Sequence, residues 1–316
     1  TKDFKSYQYY SGPNQVIADG LSSHWNDHEP WYMNSRDRAS FKINHRPSCC
    51  GGNVNRMLPV FSSAMWMKDK DNGIVAALYS SSVFRTKVEG VKGEVAIREQ
   101  TNYPFDENIN FKISLKQKAN LTLSFRIPEW CKGARLSVNG KVLSTSCEAG
   151  TFAKIKQEFV DGDIIELLLP MKVREVYQPE NGIAYQYGPL VYALPINAKT
   201  IVKSSKVENG VTFNSTLKTP GQSWNFAPIE NAEVNVVKTA DFSDPWNPEK
   251  SPIRLSLNAV EINNWKLYRE TYTPQLPSIL EMGHKKQITL VPLGSTELRL
   301  SIFPDILKRY TDGVKK

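Results

Sequence analysis

The sequence predicts a mainly β protein built from antiparallel β-sandwich domains. From Ile74 onward, apolar residues alternate with polar ones or gather in short runs, the periodicity of strands. Turn dipeptides recur between those runs: Asn139-Gly140, Asp161-Gly162 and Asn181-Gly182. One helical stripe precedes the strands. Many short strands at turn-delimited spacing read as sandwiches.

Residues 1–48 lack clean periodicity and are rich in aromatic and polar residues, among them Tyr10, Trp25, Trp31 and Tyr32, with His24, His28 and His45. Such a composition lines pockets or packs on a neighbour. Asn53 reads as the N-cap of a helix to about Lys68. Val54, Met57, Leu58, Phe61, Ala64 and Met65 form its apolar stripe, and Pro59 should kink it. Strands follow at 74–79, 94–98, 109–115, 121–127, 134–138, 141–143, 152–155, 164–169, 183–186 and 191–194. Residues 198–250, with turn chemistry at Pro220-Gly221 and Asp244-Pro245-Trp246-Asn247-Pro248, read as a long insertion or surface crossing. Strands resume at 253–257, 259–262, 265–268, 287–291 and 297–302.

The chain is long enough for two or three domains with a sizeable core. Its net charge is +8, from 40 basic and 32 acidic residues. The excess is thinly spread, with one terminal cluster at Lys308, Arg309, Lys315 and Lys316. Without a basic stripe interleaved with aromatics, this argues against nucleic acid as partner. No apolar run approaches a membrane span, which argues against a membrane and reads as a soluble chain. Four cysteines in so long a chain do not make a disulfide framework. Cys131 and Cys147 lie in a region of strands and are able to pair, though nothing requires it. The sequence opens at Thr1 with no initiator methionine or signal peptide, and reads as a piece of a longer polypeptide.

The stretch Arg46-Pro47-Ser48-Cys49-Cys50-Gly51-Gly52-Asn53 is the first candidate site. A disulfide between sequence neighbours is strained. Thiolates are nucleophiles and soft metal ligands, and a helix start favours the anion in either job. The pair also reads as two small buried residues in a turn.

Several stretches together resemble a known family. Cys49-Cys50-Gly51-Gly52-Asn53 resembles the Cys-Cys-x-x-Asn signature of glycoside hydrolase family 127, the β-L-arabinofuranosidase-like proteins; there two prolines often stand where this chain has glycines. Phe125-Arg126-Ile127-Pro128-Glu129-Trp130 and Ser137-Val138-Asn139-Gly140 are similar to its Arg-Ile-Pro-x-Trp and Val-Asn-Gly signatures. Tyr187-Gly188-Pro189-Leu190-Val191-Tyr192, Thr289-Leu290-Val291-Pro292-Leu293-Gly294 and Leu298-Arg299 look like its later strands. They occur in the family's order and point to its C-terminal half.

The resemblance implies an N-terminal (α/α)6 barrel carrying the active site, followed by two sandwiches. Residues 1–68 would be the end of that barrel, 69–178 one sandwich and 179–316 a second. It also implies hydrolysis of terminal β-L-arabinofuranosyl units with retention. Cys49 matches the thiolate nucleophile, and Cys49 and Cys50 match zinc ligands. Tyr10 resembles a substrate-binding Tyr of the family. His45 matches a His that family members place nearer the first Cys, where this chain has Pro47. The family's acid/base Glu and its Glu-x-Cys zinc ligands lie upstream of the pair. Residues 1–48 hold only Glu29 among glutamates and no cysteine. The expected partners are therefore a carbohydrate substrate and a missing N-terminal barrel domain of the same parent, and the zinc site is incomplete in this chain, which alone should be inactive. The alternative is a non-catalytic β-sandwich module that binds carbohydrate or packs on a partner, with Trp130, Trp224, Trp246 and Trp265 as stacking candidates. A Cys-based redox or metal protein is a third reading.

Overall fold

A computed structural model describes residues 1, 3, 5–8, 11–18, 40–43, 49–267 and 275–307. Tyr10, His45, the aromatic cluster at 24–32 and the basic cluster at 308–316 lie outside the described residues. The chain forms two compact units, one of residues 54–172 and one of residues 1–53 with 173–316.

The helix α1 spans Cys49–Ala64, with Pro59 inside it. It opens at Cys49 rather than at Asn53. The better start signal is Pro47-Ser48, a proline followed by a capping residue type. It also ends before Lys68, because Trp66–Lys68 (β1) pairs with Ile74–Ala76 (β2), with Trp66 opposite Ala76. Trp66 then stacks on Phe84 with ring centroids 5.0 Å apart. Tertiary pairing here outweighs helical periodicity. The apolar stripe is not covered among the described residues: Met57 is 63% and Leu58 69% exposed.

The first unit continues with Ser82–Thr86 (β3), Val95–Thr101 (β4), Asn108–Ser114 (β5), Ala119–Arg126 (β6), Arg135–Val138 (β7), Lys141–Val142 (β8), Phe152–Phe159 (β9) and Ile164–Leu168 (β10). A four-stranded sheet runs β1-β2-β6-β9 and a six-stranded sheet β3-β4-β5-β10-β7-β8. All pairings are antiparallel except β2 with β6, where Ile74 lies opposite Leu123. The inner faces follow from alternation. In β5, Ile109, Phe111 and Ile113 are buried while Asn108, Asn110, Lys112 and Ser114 face out. Phe111 meets Phe125 of the other sheet at 4.9 Å between centroids, so the sheets share one core.

The family-like motifs of this unit have structural work. Arg126 Nε donates to the Ala77 carbonyl and Tyr79 OH to the Arg126 carbonyl (2.7 Å), fixing the end of β6 to the chain after β2. Asn139 and Gly140 adopt positive φ of 49° and 77° in the β7–β8 turn, as a two-residue hairpin requires. Asn139 also donates Nδ2–H to Asp163 and accepts from the Ile164 N–H, both at 2.9 Å.

The second unit comprises Val173–Gln178 (β11), Gly182–Tyr187 (β12), Leu190–Ile196 (β13), Ala198–Glu208 (β14), Val211–Pro220 (β15), Phe226–Pro228 (β16), Asn235–Lys238 (β17), Ile253–Ile262 (β18), Met282–Pro292 (β19), Leu298–Leu300 (β20) and Phe303–Pro304 (β21). Its main sheet runs β11-β12-β13-β19-β18-β16, with β17 on β18, β20 on β13 and β21 on β12. The expected crossing at 198–250 instead begins with the β14–β15 hairpin, closed by Asn209 and Gly210 at positive φ. β14 is exposed along nearly its whole length and β15 is mostly half-buried, so neither shows the buried/exposed contrast that marks a strand in sequence. The strands expected at 253–257 and 259–262 are one, and Trp265 follows it outside any strand, buried against Trp224 at 5.2 Å. The leading residues pair into this unit through Gln15 with Arg299 and Ala18 with Lys218. Asn14 clamps them, its Oδ1 accepting the Ser301 and Ile302 N–H groups.

One core-facing position holds an acid. Glu99 follows Val95 and Ile97 on the inner face of β4 and is 1% exposed. It accepts from the Ser80 N–H (3.0 Å) and the Ser82 hydroxyl (3.2 Å), which itself accepts from Trp66 Nε1. Burial pushes its carboxyl up to about 8, outweighing those bonds.

Two predictions follow from these contacts. Asn139→Ala replaces a positive-φ Asn and removes two side-chain bonds. It should cost about 1–3 kcal/mol in denaturant unfolding. Between the unfolded carboxyl value of 4.5 and the folded value of about 8, the native state holds a proton on Glu99 that the unfolded chain releases. That contribution is complete below the window and is lost as pH rises through it, with a slope approaching about 1.4 kcal/mol per pH unit. Glu99→Gln should flatten this stretch of the stability–pH curve.

Candidate functional site

The Cys49-Cys50 pair opens α1. Of these residues only the backbone is described, and Tyr10 and His45 lie outside the described residues. The structure thus gives the pair its position but brings no sequence-predicted residue into measured contact with another. That position is chemically apt. The first turn of α1 carries no acidic residue. The partial positive charge of a helix start favours a thiolate over a thiol.

The remaining cysteines do not share that setting. Cys131 and Cys147 are free thiols, so the pairing the sequence allowed is not made. Cys131 is fully buried, and burial pushes its thiol up to about 11. It is neither a ready nucleophile nor a ready ligand.

Zinc needs about three or four donors. Cys49 and Cys50 fit in donor type but supply only two. Among the described residues, no group of three or more His, Cys, Asp or Glu side chains gathers to hold a metal. The described residues therefore do not complete a zinc site.

Sequence reasoning missed two polar regions. Glu99 borders an open hollow of about 570 Å³ on the first unit, with Arg98, Gln100, Asn108 and Asn110 on its wall. A Glu in register with buried Val95 and Ile97 was the available signal. The second unit holds another hollow, of about 600 Å³, with Trp246, Glu297 and Arg299 on its wall. Trp246 was a stacking candidate from sequence, but the polar groups around it come from segments far apart in the chain, so no local pattern marks them.

The comparisons with known proteins bear on the fold and the family. Residues 73–171 match the family model of the β-L-arabinofuranosidase GH127 middle domain. A GH127 β-L-arabinofuranosidase from Geobacillus stearothermophilus T6 superposes with TM-score 0.60 at 21% identity, over 93% of this chain and 41% of that one. A structure described as a glycoside hydrolase gives TM-score 0.64 at 21% identity, over 95% of this chain and 44% of its own. A GH127 β-arabinofuranosidase gives 0.60 at 18%, over 85% and 40%. No curated protein matches. At these identities the structural likeness is one of fold, and the chain spans less than half the length of each structure. The resemblance read from the motifs is met by this match over residues 73–171, a stretch similar to the GH127 middle domain, and by a shared fold over most of the chain.

Proposed function

We propose that this chain is the C-terminal portion of a retaining glycoside hydrolase acting on terminal β-L-arabinofuranosyl or related units. The match of residues 73–171 to the GH127 middle domain carries the reading. The Cys49-Cys50 pair at the start of α1 supports it. So does the exposed apolar face of α1, which suits cover by a barrel domain of the same parent.

In this reading the Cys49 thiolate attacks the anomeric carbon and the glycosidic C–O bond breaks. An acid from outside this chain protonates the leaving oxygen. Water then displaces the thiolate from the same carbon, giving its proton to the conjugate base of that acid, and two inversions give net retention. The helix start favours the thiolate before attack and as leaving group. Tyr10 and His45 are proposed to contact the sugar. Zinc, when bound, would keep Cys49 and Cys50 deprotonated, with its further ligands from outside this chain.

The test compares this chain with a longer protein that includes the preceding barrel. The longer protein should hydrolyse an aryl β-L-arabinofuranoside and contain zinc. Cys49→Ser should lower turnover by at least about 10³-fold. Cys50→Ser should lose the metal, read by elemental analysis. Full turnover by the Cys49→Ser variant overturns the nucleophile assignment. Full zinc-dependent turnover by the shorter chain alone overturns the need for a barrel.

A further inference from the structure

We infer that the second unit carries a binding site for a neutral saccharide, centred on Trp246. The inference does not rest on the hydrolase reading.

The sequence offers four tryptophans as stacking candidates, and the structure separates them. Trp224 and Trp265 are buried against each other. Trp130 packs on the core of the first unit. Trp246 alone of these four is exposed, at 42%, and it lies on the wall of the hollow of about 600 Å³. That volume lies in the range of small-ligand sites.

The indole sits on a braced loop. The Asn247 N–H donates to the Asp244 carbonyl (3.1 Å), and Asn247 Nδ2 to Asp244 Oδ2 (2.8 Å). The Glu249 N–H closes a second turn onto Asn247 Oδ1. The six-membered ring of Trp246 lies close over Gly294, where a Cβ would come within 3.0 Å of Cζ3. A rigid aromatic surface lowers the ordering cost of stacking a ligand. Its apolar face suits the C–H face of a sugar ring.

The polar groups around it point to a neutral ligand. Asp244, Glu297, Gln8 and Arg299 share the wall. Lys218 offsets Glu297 and Arg299 offsets Asp244, so these side chains together favour neither an anion nor a cation. Arg299 is 5% exposed and holds the Ser11 hydroxyl and the Gly12 carbonyl through Nη2. Lys218 pairs with Glu297. Hydroxyl groups, which both donate and accept, suit this mixed set. A second hollow of about 450 Å³ shares Ser295, Thr296 and Glu297 with the first. Two adjoining hollows fit a ligand longer than one ring.

The test titrates the full 316-residue chain with arabino-, xylo- and galacto-oligosaccharides, following tryptophan emission and calorimetric heat, with inorganic phosphate as the anion control. Saturable binding of at least one oligosaccharide is expected, at millimolar strength. Trp246→Ala should weaken it at least about tenfold with an unchanged unfolding temperature. Gly294→Ala, which keeps the indole but crowds it, should also weaken binding, and it decides the matter if Trp246→Ala fails to fold. The inference is overturned if no oligosaccharide saturates, if the folded variants bind as the parent does, or if phosphate competes as strongly as sugar. Loss of hydrolysis in the longer protein leaves this result unaffected, so the two readings fail separately.

Discussion

The first unit depends on the meeting of two sheets at Phe111. This side chain is fully buried. It touches Phe125 of the facing sheet, the edge of Trp66 and the ring of Tyr79. Aromatic pairs of this kind add about 0.5–1.5 kcal/mol each beyond the area they bury. Trp66 reaches the cluster only because the chain leaves α1 early and pairs as β1. Tyr79 reaches it only because Arg126 ties the end of β6 to the chain after β2. The first hairpin and the Arg-Ile-Pro stretch both bring side chains to this one cluster.

Strands with one buried face were legible from sequence. The alternation at 109–115 and the Asn139-Gly140 turn needed nothing beyond period and turn chemistry. Elements decided by distant partners were not. The residues of β1 continue a helical period but pair as a strand. In the hairpin β14 is exposed and β15 mostly half-buried, so neither shows apolar contrast, and the Asn209-Gly210 turn between them went unread. Residues 253–262 read as two strands because exposed Asn258 interrupts the apolar run, while the backbone ladder continues through it.

The site was legible to a different degree. Adjacent cysteines before a helix are visible in any sequence, and their place at the start of α1 suits reactive thiols. The motifs that named the family are mostly structural in what they do here. Arg126 braces a strand end, Asn139 shapes a hairpin, and Arg299 supports the leading segment around Ser11. Resemblance in such motifs can thus be strong while the polar groups around a hollow remain scattered along the sequence. The wall around Trp246 draws on residues 8, 244, 297 and 299, which only the folded second unit brings together.

The parallel pairing of β2 with β6 sets an order on biosynthesis. Ile74 finds its ladder partner Leu123 only after the intervening strands have been made. A ribosome delivering this chain from its N-terminal end therefore releases Trp66–Ala76 well before that partner emerges. The early hairpin has to wait with its apolar face open, and non-local pairing of this sort is slow.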